Sequence, residues 1–268
     1  MDALAQIDAW PVEHAAAGVV RGTETWSYGE TDSRFKWASV TKLVTAMAVL
    51  VAAEEGVLDL DEPAGPEGST VRHLLAHASG LPFDGPRPIS QPGKRRIYSN
   101  TGFDQLGAFL GEKAEMPFDA YLSEAVLEPL GLRGTGLHGP PSSGLTGPLD
   151  DLLAFGRELM APTLVARETL YEATTVVFPG LAGILPDFGR YEPLDWGLGC
   201  EIRNGKEPHW TGTRNSARTF GHFGGAGSFI WVDPEAGAAC ASLADRQFGA
   251  WAKEAWPPLS DAVLAELR

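Results

Sequence analysis

The chain has 268 residues and carries 35 acidic against 21 basic side chains, a formal net charge of −14. This length is enough for one large domain with a sizeable core, and 32 Gly and 20 Pro are typical of a globular protein with many loops. Because the acidic excess repels phosphate groups, we expect no nucleic-acid partner.

The N-terminal segment favours a cytoplasmic protein. Residues 1–10 contain no basic leader and no apolar run of signal-peptide length, although a secreted protein would look the same if Met1 replaces a cleaved signal. No later stretch approaches the ~20 consecutive apolar residues of a membrane span, so we expect no membrane partner. Instead, residues 1–10 predict a short amphipathic helix, with Ala3, Leu4 and Ile7 on its apolar side.

The next elements are predicted to be a hairpin and a buried helix. Residues 15–30 have strand character on both sides of a bend at residues 21–24. From Ser39 onward the sequence is apolar almost throughout to Glu55, and Gly56 supplies a C-cap. A helix that is apolar all round is a buried one. It would carry Ser39 and Lys42 in its first turn.

The remaining pattern divides the chain into two kinds of structure. Residues 70–175 alternate helical patterns with Gly/Pro-rich loops, and no strand is expected before about residue 176. The predicted helices cover residues 70–78, 102–113, 118–126 and 150–160. Strand character returns at residues 196–203, 228–232 and 237–243, before a closing helix at 250–267.

This order predicts an α/β fold of the α+β type, with an antiparallel sheet built from N- and C-terminal segments and flanked by helices. We expect one domain over residues 1–268. Its sheet subdomain would cover about residues 1–60 and 176–268, and a mostly helical subdomain about residues 61–175 would be inserted between them.

The first chemical motif is S-V-T-K at residues 39–42. On a helix, positions i and i+3 share a face, so the Lys42 amine lies beside the Ser39 hydroxyl. Serine is a poor nucleophile without an adjacent base, and burial lowers a lysine pKa toward neutrality. This pattern alone is common by chance.

Two further motifs follow in the chain. In Y-S-N at residues 98–100, expected in a loop, alternation places Tyr98 and Asn100 on one side and Ser99 on the other. In G-H-F-G-G-A-G at residues 221–227, glycines at a strand entrance allow close approach to a ligand, and an exposed N–H there can complete an oxyanion hole with that of Ser39.

Other candidate sites are weaker. His73 and His77 have the i, i+4 spacing of zinc ligands, but without a third ligand they are predicted to be packing residues, so we expect no metal and no cofactor. Cys200 and Cys240 are expected to be buried free thiols, with a disulfide left open. Trp210 is a weaker candidate for the wall of an acyl pocket.

In this order the three motifs resemble those of the serine β-lactamase and penicillin-binding-protein (D-alanyl-D-alanine carboxypeptidase) superfamily, specifically its class C-like branch with related esterases. Segments at residues 71–82, 129–132 and 231–234 are also similar, so the resemblance covers nearly the whole chain. It implies catalytic roles for Ser39 as nucleophile, Lys42 as proton acceptor, and Tyr98 as partner base and later acid.

The resemblance also implies substrate-binding positions, which are Asn100, His222, Gly224 and Gly225, with Gly225 in the oxyanion hole and His222 as a pocket-side donor. Many members of this superfamily have a lysine at the position of His222 that holds a substrate carboxylate. A largely neutral imidazole weakens that interaction and disfavours efficient β-lactam hydrolysis.

The expected function is therefore that of a serine hydrolase, acting through an acyl-enzyme on a small-molecule ester, amide or lactam. Esterase, D-peptidase and weak β-lactamase activities stay open, as does acyl transfer to an acceptor other than water. The alternative is a penicillin-binding or sensing module that is acylated without efficient turnover. A monomer or a weak homo-oligomer is expected.

Overall fold

The computed structural model describes residues 1–268, with helices on both faces of one central sheet. The strands are β1 (Ala15–Arg21), β2 (Glu24–Gly29), β3 (Phe35–Lys36), β4 (Arg96–Ile97), β5 (Gly136–Leu137), β6 (Leu145–Gly147), β7 (Gly183–Leu185), β8 (Gly189–Tyr191), β9 (Glu201–Ile202), β10 (Phe220–Gly224), β11 (Ser228–Asp233) and β12 (Ala238–Ala244). The α-helices are α1 (Thr41–Glu54), α2 (Val71–Leu75), α3 (Asn100–Lys113), α4 (Phe118–Leu122), α5 (Leu149–Met160), α6 (Arg167–Ala173) and α7 (Ala250–Glu266). Two 3₁₀ helices, Asp2–Ala9 and Ala38–Val40, and a π-helical turn, Ser123–Leu127, complete the fold.

The central sheet has six strands in the order β2-β1-β12-β11-β10-β9, and every neighbouring pair is antiparallel. The N-terminal hairpin joins the C-terminal strands through β1 and β12, where Val19 lies opposite Cys240. The predicted fold class, an α+β fold whose antiparallel sheet combines both ends of the chain, is confirmed. The boundaries predicted for the two subdomains stay predictions.

Strand alternation divides the core between the two faces of this sheet. On one face, Val20 and Ile230 belong to a cluster of 46 buried residues that includes the apolar sides of α1 and α5. On the other face, Val19, Phe229 and Trp231 belong to a cluster of 22 buried residues that includes α7 and the N-terminal 3₁₀ helix. The larger cluster fixes α1, which begins at Thr41, two residues after Ser39.

The prediction that residues 70–175 contain no strand is wrong. This stretch holds β4, β5 and β6, which pair with β7, β6 and β3 respectively. Strands of two or three residues are too short to produce a recognisable alternation, and they form because distant segments supply their partners. Of the strand predicted at residues 196–203, only β9 forms, with an isolated bridge between Trp196 and Glu201.

None of the helices combines the length and the apolar composition needed to cross a bilayer.

Candidate active site

Ser39 lies in a tight turn between β3 and α1. The residue belongs to the 3₁₀ helix Ala38–Val40, which precedes α1, and not to the first turn of the α-helix as predicted. Ala38 adopts a positive φ of 45°, so the chain cannot continue as an α-helix through it. The Trp37 carbonyl accepts a hydrogen bond from Ser228 Oγ at 2.8 Å, which ties this turn to β11.

Lys42 is fully buried directly behind Ser39. Its Nζ lies 2.7 Å from Asn100 Oδ1, 2.9 Å from the Ser142 carbonyl oxygen and 3.3 Å from Ser39 Oγ. Nζ also lies 4.8 Å from the centroid of the Tyr98 ring. The amine is therefore in contact with two carbonyl oxygens and one hydroxyl.

The charge state of Lys42 follows from its surroundings. Burial lowers the pKa of Lys42 to about 7, although Asp104 and Asp84 act in the opposite direction. A neutral amine has two N–H groups and one lone pair. If the carbonyl oxygens of Asn100 and Ser142 accept its two hydrogens, the lone pair remains for the hydroxyl hydrogen of Ser39. This arrangement suits a general base.

Tyr98 and Asn100 flank the junction between β4 and α3. This segment is a strand-to-helix connection and not the loop predicted from sequence, since Asn100 is the first residue of α3. Ser99 is the N-cap, and its hydroxyl accepts from the Gly102 N–H at 2.9 Å. As predicted from alternation, Ser99 faces away from Lys42 while its two neighbours reach the amine.

The phenol of Tyr98 stays protonated at neutral pH. Its side chain is buried, and burial raises its pKa well above the usual range. The ring packs against the His77 ring, with centroids 4.6 Å apart, and the His77 Nδ1 accepts the Ser99 N–H at 3.1 Å. Tyr98 is thus fixed as a proton donor in the resting state rather than as a base.

His222 on β10 is a neutral hydrogen-bond acceptor. Its Nδ1 lies 2.6 Å from the Phe223 carbonyl oxygen, which assigns the hydrogen to Nδ1 and leaves Nε2 as an acceptor 3.4 Å from the Tyr98 hydroxyl. Burial lowers the pKa of His222 to about 3. The donor role that the resemblance implies for His222 does not fit this tautomer.

The two glycines after His222 have different environments. Gly225 lines the same cavity as Ser39, and its N–H and that of Ser39 donate to no backbone acceptor of the chain. Both groups are thus free to bind an oxyanion. Gly224 does not line the cavity. It is buried against the turn of Ser39, where an added Cβ would lie 2.5 Å from the Trp37 carbonyl oxygen.

The cavity in front of Ser39, which we term the catalytic chamber, has a volume of about 180 Å³. Besides the site residues, its wall contains aromatic and aliphatic groups and two carboxylates, which belong to Phe83, Leu185, Pro186, Asp187, Trp196, Glu201, Phe223 and Phe248. Trp210, the weaker candidate from sequence, lies outside this wall, where its indole N–H donates to Glu201 at 2.6 Å. Trp196 lines the chamber instead.

Glu201 is a buried carboxylate that the sequence motifs do not indicate. Its Oε1 lies 3.1 Å from His209 Nε2 and 3.3 Å from Lys206 Nζ. Burial acts to raise the pKa of Glu201, but His209, Lys206 and the Trp210 indole outweigh it and hold the pKa well below the usual range. The chamber therefore borders a group that carries a negative charge at neutral pH.

Asp84, Asp104 and Ser142 also support the site without any motif to mark them. The Asn100 Nδ2 donates to Asp84 at 3.4 Å, which fixes the amide so that its oxygen faces Lys42. The Ser142 N–H donates to Asp104 at 3.0 Å, and the Ser142 carbonyl accepts from Lys42. These residues meet only through the tertiary fold.

His73, considered above as a zinc ligand, and the two cysteines have packing roles. His73 stacks on Phe178 with centroids 4.4 Å apart, and it lies outside the chamber wall. Cys200 and Cys240 are both buried and free, so they form no disulfide with each other.

Comparison with known proteins identifies the family of the chain. The family model described as Beta-lactamase matches residues 8–264. The crystal structure of a β-lactamase from Mycobacterium bovis is 51% identical and superposes with a TM-score of 0.97 over 99% of both chains. Penicillin-binding protein 4* of Bacillus subtilis is 26% identical over 59% of this chain and 42% of its own length. The D-alanyl-D-alanine-carboxypeptidase/endopeptidase AmpH of Escherichia coli is 27% identical over 41% of this chain and 40% of its own length. These matches thus span about two fifths of either curated relative. The chain belongs to the Beta-lactamase family.

Proposed function

We propose that the protein is a serine hydrolase that cleaves an ester or amide bond through an acyl-enzyme on Ser39. The observation that carries this proposal is the placement of Lys42, whose Nζ contacts two carbonyl oxygens and the Ser39 hydroxyl. With a pKa of about 7, a large fraction of this amine is neutral at physiological pH and able to accept a proton.

In acylation, Ser39 Oγ attacks the substrate carbonyl carbon while its proton moves to Lys42 Nζ. The carbonyl oxygen becomes an oxyanion, which the N–H groups of Ser39 and Gly225 bind. The tetrahedral intermediate then collapses to the ester of Ser39. The leaving oxygen or nitrogen takes a proton from Tyr98, and Lys42 restores the phenol because the Tyr98 pKa is the higher of the two.

In deacylation, a water molecule attacks the ester carbonyl carbon, its proton passes to the neutral amine of Lys42, and Ser39 Oγ leaves and is reprotonated. The same oxyanion-binding N–H groups serve both steps. An alcohol or amine in place of the water would give acyl transfer, which uses the same residues.

The charges around the chamber support a neutral substrate at the scissile bond. The chamber wall contains no arginine and no lysine, whereas Asp187 and Glu201 are both part of it. His222 is neutral at physiological pH and accepts rather than donates. We therefore place small acyl esters and uncharged amides, including D-amino-acid peptides capped at the carboxylate, ahead of β-lactams, whose carboxylate lies next to the scissile bond.

The test is turnover of p-nitrophenyl butyrate by the wild type and by Ser39→Ala, with Ser33→Ala as a matched control outside the site. We expect Ser39→Ala to lose at least about 10³-fold in kcat/KM and Ser33→Ala to remain active. Intact-mass measurement with a fluorophosphonate should give one adduct on the wild type and none on Ser39→Ala.

The pH profile provides a second readout of the same proposal. Because the base must be neutral to accept the proton, kcat/KM should rise with pH through about 7 and level off above it. Turnover unchanged in Ser39→Ala would contradict the proposal. A penicillin adduct that survives for hours with no turnover of any ester would instead support the acylated binding module.

A further inference from the structure

A second cavity adjoins the catalytic chamber. Its volume is about 430 Å³, and it shares Phe83, Tyr98 and Pro186 with the chamber wall. We term it the side groove and define it by Ile89, Ile97 and Ile184 together with Arg95, Arg96 and Arg190. Ile89 is 59% exposed and Ile184 is 65% exposed. Large apolar side chains so exposed beside a reactive serine mark a binding surface rather than core packing.

The charge of the side groove is opposite to that of the molecule. Acidic side chains outnumber basic ones by 35 to 21 in the chain, yet three arginines and no acidic residue line this groove. The chamber next to it has the reverse arrangement, with two carboxylates and no arginine or lysine in its wall. Lys206 pairs with Glu201, so Asp187 is the chamber carboxylate without an ion pair. Positive charge is concentrated beyond Phe83, where the three arginines lie.

Arg96 is a buried cation without a carboxylate partner. It is 2% exposed, and its guanidinium donates to the backbone carbonyl oxygens of Ala76, Val177, Phe178 and Leu194. Burial lowers the pKa of Arg96 only to about 10, with the Asp195 carboxylate acting in the opposite direction, so the group is charged at neutral pH. Carbonyl dipoles satisfy its N–H groups but leave the net positive charge, which no ion pair offsets.

Arg95 and Arg190 present accessible guanidinium groups at the same groove. Arg95 donates to the Ile89 carbonyl oxygen at 3.2 Å and forms no ion pair. Arg190 lies 3.1 Å from Glu192, with side chains 70% and 69% exposed, and exposed pairs of this kind are weak. Both groups are thus available to bind an anion of a ligand.

We propose that the side groove binds an arm of the substrate that carries an anionic group, a carboxylate or a phosphate monoester, at the end of an apolar stretch. The isoleucines contact the apolar stretch, and Arg95 and Arg190 bind the anion. This inference rests on the proposed function, because it treats the groove as a subsite of the chamber that contains Ser39. The Asp187 carboxylate in the chamber wall disfavours an anion at the scissile bond.

The kinetic test compares matched anionic and neutral esters. For the acyl arm, the pair is mono-p-nitrophenyl suberate and its methyl ester. For the leaving arm, the pair is the butyryl ester of 4-(4-hydroxyphenyl)butanoate and the methyl ester of that compound. The measured quantity is the ratio of kcat/KM for the anionic to the neutral ester, in which general changes of activity cancel. We expect a ratio well above 1 for one arm, falling as salt is added.

Arg95→Gln and Arg190→Gln remove the proposed anion-binding charges, and Arg133→Gln removes an exposed arginine in the turn before β5 as a matched control. Each groove variant should lower the wild-type ratio by up to about fivefold, and the double variant by more. Arg133→Gln should leave the ratio as it is. A ratio near or below 1 for both arms, or an equal loss in Arg133→Gln, would overturn the proposal.

A binding measurement separates the groove from the chemistry. In Ser39→Ala, calorimetric or NMR titration compares 4-phenylbutyrate and 3-phenylpropyl phosphate with the neutral 4-phenylbutyramide. Tighter binding of either anion, lost in the double Arg95/Arg190 variant, supports the groove and identifies which anion it prefers. Equal affinity for the two anions and the neutral amide would contradict the proposal. Absence of ester turnover and of any fluorophosphonate adduct would refute only the serine hydrolase.

Discussion

At the scale of single residues, the site depends on a lysine whose charge is finely balanced. Burial lowers the pKa of Lys42, whereas Asp104 and Asp84 raise it. The spacing of Ser39 and Lys42 predicts their contact from sequence alone. Asp104 and the Ser142 carbonyl have no such signal, because they lie 62 and 100 residues from Lys42 in sequence. Only tertiary packing brings Ser142 to the amine and Asp104 to Ser142.

Asp104→Asn tests this balance with almost no change in shape. The amide oxygen can still accept the Ser142 N–H, but the negative charge that favours protonated Lys42 is removed. The lysine pKa should fall further, so the acid limb of the kcat/KM profile should move to lower pH by about one unit or less. Asp119→Asn, an exposed position on α4, is the control for an equal change of net charge. A shift toward higher pH would refute the assignment of Lys42 as the base.

At the scale of elements, the turn of Ser39 and the end of β10 are packed so closely that only a glycine fits between them. A Cβ on Gly224 would lie 2.3 Å from Ser228 Oγ and 2.5 Å from the Trp37 carbonyl oxygen, both closer than van der Waals contact allows. The sequence indicates that this glycine-rich run approaches something closely. It does not indicate that Gly224 contacts the turn of Ser39 while Gly225 lines the chamber.

Gly224→Ala should therefore separate β10 from the turn of Ser39 and misplace the two oxyanion-binding N–H groups. Displacements of about 1 Å in an active site cost up to about 100-fold in rate, so we expect kcat to fall by at least 10-fold, more than any change in KM. Gly205→Ala is the matched control, because an added Cβ there has no atom within 4 Å. Steady-state kinetics that showed the two variants equally active would rule out this close contact as a constraint.

At the scale of the whole molecule, the central sheet separates two cores. One face packs against α1 and α5, and the other packs against α7 and the N-terminal 3₁₀ helix. The buried runs of β1, β11 and β12 are long enough to be predicted from sequence. The short strands β4 to β8 are not, because their existence depends on partners that local periodicity cannot reveal. Sequence therefore predicts β1, β2, β11 and β12 of the central sheet and its flanking helices, but neither β10 nor the small sheets around the site.

Trp231→Ala tests how much the α7 face contributes to stability. Trp231 is fully buried, and its indole N–H donates to Ser260 on α7 at 3.0 Å. Removal of so large a buried side chain should lower the free energy of unfolding by about 3–5 kcal/mol, measured by circular dichroism in denaturant. Trp26→Ala on the half-exposed outer strand β2 should cost less. Equal losses would show that the α7 core is not specifically required.

The pairing of β1 with β12 has a consequence for folding of the chain during its synthesis on the ribosome. The hairpin of β1 and β2 emerges early, but the strand that covers the open edge of β1 is translated more than 200 residues later. Until then, that edge exposes unpaired backbone groups. A nascent chain arrested before β10 would thus contain Ser39 and Lys42 yet no oxyanion hole, so we expect catalytic competence to arise only when translation is nearly complete.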